Sequence, residues 1–170
     1  MIVALDCATE TGFAVMNDAG ALTDGGTQEF SLQRGESSGM RFRRFNLWLR
    51  STFPELGTGD LVLFEQAHQR GGPATEIGVG MATRVMEWAA EFGADYKAVH
   101  SRTLKKCVTG KGNAGKPEMI EAVNAKLGMA VDNDNLADAL GLVIWYRAGM
   151  PEGASKKKAP KAAKAREVAG

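Results

Sequence analysis

The chain has 170 residues, enough for one domain with a hydrophobic core but too few for two domains of ordinary size. Its 44% hydrophobic and 24% charged residues are typical of a globular protein, and no apolar run approaches the length of a membrane span. The first residues lack the basic and apolar regions of a secretion signal, so we expect a cytoplasmic protein.

Residues that favour zinc are scarce. The cysteines, Cys7 and Cys107, are far apart and neither belongs to a CxxC pair, while His68 and His100 are the two histidines. This composition argues against zinc sites. We therefore expect any catalytic metal to be held by oxygen ligands, which indicates magnesium or manganese.

Charge is distributed unevenly along the chain. Residues 151–170 contain six lysines and arginines against two glutamates, a net charge of +4, which leaves −3 for residues 1–150. We interpret residues 1–150 as one folded domain and residues 151–170, which nearly lack large apolar side chains, as a disordered basic tail. Such a tail either binds phosphate groups or serves only as a solubilising extension.

The start of the chain predicts an antiparallel meander of three strands. Two apolar runs, residues 2–5 and 13–16, are separated by a turn that contains glycine and are typical of a β-hairpin. A third strand is expected at residues 26–32, where Phe30 would lie on one face, although the alternation there is only partial.

Helices and two further strands are predicted after the meander, from the helical spacing of apolar residues and from short apolar runs. In chain order these elements are residues 38–53 (helix), 61–64 (strand), 74–92 (helix), 95–100 (strand), and 102–108, 116–127 and 134–148 (helices). The order predicts an α/β fold with a five-stranded mixed β-sheet flanked by α-helices.

Acidic side chains stand where the fold can bring them together. Asp6 ends the first strand, Glu65 ends the fourth, and Asp138 lies one helical turn after Asp134 on the last helix. Singly, an acid at a strand end is most often a turn residue, and an acid on a helix most often faces solvent. Gathered together, such carboxylates repel each other, and two divalent cations that relieve this repulsion can hydrolyse a phosphodiester.

Four motifs follow one another along the chain: ALDCATETGFAV, LVLFEQAHQRG, SRTLKKCVTGKGNAGKPEMIEAV and NLADALGLVIW. In this order they resemble the RuvC-type Holliday junction resolvases of the RNase H-like superfamily, and they extend over residues 1 to about 148. The resemblance implies an RNase H-like nuclease domain in residues 1–150. It also implies a homodimer that resolves four-way DNA junctions by paired symmetric nicks, in the cytoplasm of a bacterial or phage-infected cell.

The resemblance also implies the metal ligands. Carried over by position, Asp6, Glu65 and Asp138 would bind two Mg²⁺ or Mn²⁺ ions. The family's fourth acid usually lies three residues before the last one, and Asn135 occupies that position here. Asp134 is the natural substitute.

Asp132 is a further candidate for the fourth ligand, so the choice among residues 132, 134 and 135 stays open.

Basic residues at matching positions are expected to contact DNA. Lys105 and Lys116 would hold the scissile phosphate and stabilise charge near the metals, and Lys111 is an additional lysine in the loop between them. His68 stands where many members of the family have an aromatic residue that stacks on a base, and Arg70 follows it in the same loop. The alternative is that His68 is an ordinary surface histidine.

Other functions are weaker interpretations of the sequence. Residues 110–117 have the glycine and lysine spacing of a nucleotide-binding loop, but Pro117 replaces the Ser or Thr that would hold magnesium, so we expect no nucleotide cofactor. A nuclease that cuts flaps, replication forks or RNA–DNA hybrids remains an alternative. So does a non-catalytic branched-DNA binding protein, which Asn135 would favour.

The second predicted helix is the expected dimer interface. It carries Gly78 and Gly80 beside Met and Trp side chains, and glycine permits another backbone to approach closely.

Deletion of residues 153–170 tests the role of the basic tail. Loss of its cations is expected to weaken DNA binding and to flatten the dependence of affinity on salt, with no loss of folding. Fluorescence anisotropy at several salt concentrations would measure both effects. A salt slope equal to that of the full chain would identify the tail as a solubilising extension.

Overall fold

One mixed β-sheet organises the protein, and the computed structural model describes residues 1–67 and 71–152. The strands are β1 (Ile2–Asp6), β2 (Glu10–Met16), β3 (Leu22–Glu29), β4 (Leu61–Glu65) and β5 (Asp95–Val99). The helices are α1 (Gly39–Thr52), α2 (Pro73–Glu91), α3 (Ser101–Thr109), α4 (Lys116–Leu127) and α5 (Asp134–Arg147). The predicted element order and the five-stranded mixed sheet are confirmed. Among these described helices, none has the length and apolar character needed to cross a bilayer.

The strand order is β3-β2-β1-β4-β5. β1, β2 and β3 form the predicted antiparallel meander, whereas β4 runs parallel to both β1 and β5. In the parallel pair Leu5 lies opposite Phe64, so Asp6 and Glu65 come next at the same end of the two strands. Neighbouring strands are about 4.8 Å apart, and the topology therefore makes these two acids neighbours.

The hydrophobic core lies on both faces of the sheet, because successive side chains of a strand point to opposite sides. Val3, Leu5 and Phe64 are buried with residues of α1 and α2 on one face. Ala4 and Leu63 are buried with residues of α3, α4 and α5 on the other. Full burial of one Leu or Phe side chain contributes about 2 to 3 kcal/mol, so this packing fixes the ends of β1 and β4 in place.

The predicted boundaries of the third strand were wrong. The strand begins at Leu22 rather than residue 26 and ends at Glu29, so Phe30 follows it. Antiparallel pairing with β2 sets both limits, from Met16 opposite Leu22 to Glu10 opposite Glu29. The sequence concealed this start because LTDGG contains residues that are uncommon in strands.

The proposed reason for a dimer interface on α2 was also wrong. A Cβ atom at Gly80 would lie 2.4 Å from the ring of Phe42, so this glycine serves the packing of α1 on α2 within the chain. Met81, Val85 and Trp88 of the apolar stripe are buried in the chain's own core. The homodimer itself stays a prediction, but the glycine and apolar residues of α2 no longer indicate where its interface lies.

Gly12 in β2 allows α5 to approach the sheet closely. A Cβ atom there would lie 1.9 Å from the carbonyl oxygen of Asn135 and 2.8 Å from the amide nitrogen of Leu136. Gly12 is also the partner of Asp6 in the β1–β2 register. The first turn of α5 is therefore packed beside the strand end that carries Asp6.

Substitution of Gly12 by alanine should displace α5, because the new methyl group meets backbone atoms that cannot rotate away. We expect a loss of about 2 to 3 kcal/mol in the free energy of unfolding, measured by urea denaturation. Gly39→Ala is the matched control, since a Cβ at Gly39 would make only an ordinary contact of 3.9 Å with Ser37 Oγ and the residue begins a helix. That control should be neutral or slightly stabilising. Equal stability of Gly12→Ala and the wild type would contradict the close approach.

Candidate active site

Four carboxylates are gathered at one edge of the sheet. β1 and β4 end in Asp6 and Glu65, and α5, packed against Gly12, carries Asp134 and Asp138 on one helical face. Charge interactions couple Asp6 to each of the other three acids. The structure thus brings together the four acids selected from the sequence.

Burial raises the pKa values of Asp6, Asp138 and Glu65, and repulsion between acids raises those of Asp6 and Asp138 further. The pKa of Asp6 lies well above its usual value, first because the carboxyl is buried and then because Asp138, Glu65 and Asp134 repel its charge. The pKa of Asp138 is raised to about 6, mainly by burial and next by Glu65. Burial likewise raises the pKa of Glu65. The ionised cluster is therefore electrostatically unfavourable unless cations join it.

One oxygen of this cluster lacks a partner. Asp138 Oδ1 is buried and accepts no hydrogen bond from the described residues. An unsatisfied buried acceptor costs about 1 to 3 kcal/mol, which a bound cation would recover. The donors that the described residues bring together here are mainly carboxylate oxygens, which favour Mg²⁺ or Mn²⁺, so these residues fit the expected ions.

The carboxylates are neighbours rather than a preformed metal cage. Within residues 1–67 and 71–152, no group of three or more His, Cys, Asp and Glu side chains is already arranged to hold an ion. The acids nevertheless lie close enough for the charges of Asp138, Glu65 and Asp134 to act on Asp6.

Three residues of α3 and α4 bind or face the acids. Lys116 Nζ forms an ion pair with Asp134 Oδ2, although the lysine side chain is 73% exposed. The hydrogen bond to Asp134 and its charge raise the pKa of Lys116. The charge of Lys105 offsets part of the rise in the pKa of both Glu65 and Asp138, so this lysine also lies near the cluster.

Ser101 is the third of these residues, and sequence reasoning missed it. It is 6% exposed, and its side chain donates a hydrogen bond to Glu65. A serine at the start of a helix is common for reasons of capping alone, and the sequence therefore held no signal for this contact.

The remaining candidates lie away from the carboxylates or outside the described residues. Lys111 Nζ binds Glu118 Oε1 at 3.0 Å on the surface of the loop before α4. Asp132 is exposed just before α5, and Asn135 lines a neighbouring cleft, so Asp134 is the acid nearest to the expected fourth position. His68 and Arg70 lie outside the described residues.

An open cleft of about 340 Å³ leads to Asp6 and Glu65. Asp6 and Glu65 line one side, and Thr75 and Gly78 of α2 line another. Cys7 also borders the cleft, and burial raises the pKa of its thiol, which favours the neutral form. Asp6 and Glu65 are thus accessible to a substrate through this cleft.

His100, which follows β5 directly, has a structural role. Its Nδ1 atom accepts a hydrogen bond from the amide of Arg102 at 3.2 Å and so caps α3. This cap fixes the start of the helix that carries Ser101 and Lys105.

Comparisons with known proteins identify the fold. No protein-family profile and no curated protein sequence matches the chain. A structure of Thermus thermophilus RuvC is similar, with 21% identity and a TM-score of 0.65 over 88% of this chain and 96% of the other. T. thermophilus RuvC in complex with a Holliday junction substrate gives 22% identity and a TM-score of 0.66, with the same coverage. The chain therefore has the RNase H-like fold of RuvC, as expected.

The raised pKa of Asp138 predicts a pH-dependent penalty in the metal-free protein. The pKa of its carboxyl is near 3.8 in the unfolded chain and about 6 in the folded protein. The loss of folding free energy caused by ionising Asp138 is therefore absent below pH 3.8 and complete above pH 6. Asp138→Asn should thus stabilise the protein by about 1 to 3 kcal/mol at pH 8, with a much smaller effect at pH 4. Urea denaturation in EDTA measures both.

Asp132→Asn is the matched control, because it removes an exposed carboxylate next to the same helix. It should leave stability unchanged at both pH values. A destabilised Asp138→Asn variant at pH 8 would contradict the crowded, repulsive environment of Asp138.

Proposed function

This protein has the fold of RuvC. We propose that it is a metal-dependent endonuclease that cuts DNA at four-way junctions. The single observation that carries the proposal is the buried cluster of Asp6, Glu65 and Asp138, with Lys105 and Lys116 beside it. A solved T. thermophilus RuvC of the same fold is bound to a Holliday junction substrate, which supports branched DNA as the ligand class.

Asp6, Glu65 and Asp138 would hold two Mg²⁺ or Mn²⁺ ions. Asp6 would be the ligand shared between the ions, because its charge is coupled to those of all the other acids. When bound, such ions lower the pKa of water and neutralise charge on a phosphodiester. Asp6 and Glu65 would present the ions to a substrate in the open cleft.

Lys116 and Asp134 would change partners when DNA binds. Their ion pair joins an exposed cation to an acid of the cluster. A phosphate that attracts Lys116 would release Asp134 to serve as the fourth ligand. The charge of Lys105 already offsets part of the rise in the pKa of Glu65 and Asp138. The same charge would stabilise negative charge at the reacting phosphate.

Paired nicks across a four-way junction require two such sites. A two-fold homodimer would match the symmetry of that substrate, as the resemblance to RuvC implies. Flaps, forks and RNA–DNA hybrids are the alternative substrates, since the carboxylate cluster serves phosphodiester hydrolysis on any of them.

Conversion of Asp6 to asparagine is the direct test of the reaction. It should abolish nicking of a labelled four-way junction in Mg²⁺, because the shared ligand loses its charge, while junction binding measured by anisotropy persists. Asp132→Asn should cut like the wild type, since residue 132 lies outside the cluster. Turnover by Asp6→Asn would remove this residue from the active site.

The same assay distinguishes the substrates. The wild type should cut a four-way junction faster than a fork, a flap or an RNA–DNA hybrid labelled in the same way, and should run as a dimer in light scattering with the junction. A preference for another substrate, or a monomer on the junction, would contradict paired resolution. Binding without any cleavage would indicate a DNA-binding protein instead.

A further inference from the structure

We infer that Glu10 and Asn133 form a clamp that positions the carboxylates of α5 for metal binding. The clamp is the side-chain hydrogen bond in which Asn133 Nδ2 donates to Glu10 Oε1, with a length of 2.8 Å. The two residues are 123 positions apart in the sequence. The inference rests on the proposed function, since it assigns Glu10 and Asn133 to the same site as positioning residues.

Asn133 connects this hydrogen bond to the start of α5. It is the N-cap residue of the helix, and its Oδ1 atom accepts from the amide of Leu136 at 3.1 Å. One side chain therefore uses its acceptor to hold the first turn of α5 and its donor to hold Glu10. Asp134 follows the cap directly, and Asp138 comes one turn later.

Glu10 connects the same hydrogen bond to the sheet. It is the first residue of β2, two positions before Gly12, whose missing side chain admits α5. Gly12 in turn pairs with Asp6 in the β1–β2 register. The clamp and the close approach at Gly12 thus fix α5 at two points of β2, the strand that pairs with β1 at Asp6.

The energetic need for such a clamp comes from repulsion between acids. Asp6 and the two acids of α5 repel one another, which favours movement of α5 away from β1. Metal ligation requires positions held to within about 0.5 Å, so a small displacement would weaken binding. Nothing else in the proposed reaction uses Glu10, which lies beside the cluster without belonging to it.

Four variants separate the clamp from a simple change of charge. Glu10→Ala removes the acceptor, whereas Glu10→Gln keeps an acceptor oxygen and loses only the charge. Glu29→Ala is the matched control, because Glu29 is the register partner of Glu10 on β3 and is exposed. Asn133→Asp keeps the helix cap and removes the donor while adding negative charge.

Manganese affinity, measured by electron paramagnetic resonance on the full chain without DNA, is the main readout. Glu10→Ala and Asn133→Asp should each bind Mn²⁺ about tenfold more weakly than the wild type, a difference of about 1.4 kcal/mol. Glu10→Gln and Glu29→Ala should stay within about twofold. The negative charge that Asn133→Asp adds would by itself strengthen Mn²⁺ binding. Weaker Mn²⁺ binding by this variant would therefore identify the lost hydrogen bond, and the geometry it holds, as the cause.

Hydrogen exchange of the metal-free protein is the second readout. Amides in the first turn of α5 should exchange faster in Glu10→Ala and at the wild-type rate in Glu10→Gln. Wild-type exchange and Mn²⁺ affinity in Glu10→Ala, or equal weakening in Glu10→Gln and Glu10→Ala, would overturn the clamp while leaving the proposed function intact. Failure of the wild type to bind Mn²⁺ would contradict the proposed function and, with it, the clamp's role.

Discussion

Repulsion between carboxylates that the fold forces together is the constraint around which this structure is built. Asp6 and Glu65 are neighbours because β1 and β4 are parallel and end at the same edge. Asp134 and Asp138 join them because α5 packs on a glycine of β2. Burial, and next this repulsion, raise the pKa of Asp6 and Asp138, so ionising them costs the metal-free fold free energy that cation binding would regain.

The rest of the fold holds these charges in place. Buried aliphatic and aromatic side chains on both faces fix the two central strands, so their ends cannot separate. The helices then supply compensation: Ser101 and Lys105 of α3 act on Glu65, and Lys116 of α4 pairs with Asp134. Stability and the proposed chemistry therefore depend on the same contacts. We expect Gly12→Ala to affect both.

The sequence predicted the features that depend on local patterns. Apolar runs that end in an acid located Asp6 and Glu65, and helical spacing put Asp134 and Asp138 on one face. Long-range packing was less visible: Gly80 faces Phe42 of the same chain, and pairing with β2 rather than composition starts β3 at Leu22. The contacts of Ser101, Glu10 and Asn133 escaped prediction because each joins residues distant in sequence through common polar side chains.

The central claim is that folding creates a divalent-cation site from Asp6, Glu65 and Asp138. Crystals of the wild type soaked in Mn²⁺ and measured at a wavelength where manganese scatters anomalously would locate bound ions directly. The account predicts anomalous density between the ends of β1 and β4 and the first turns of α5, within coordination distance of Asp6. Density elsewhere, with this edge of the sheet empty at saturating Mn²⁺, would contradict it.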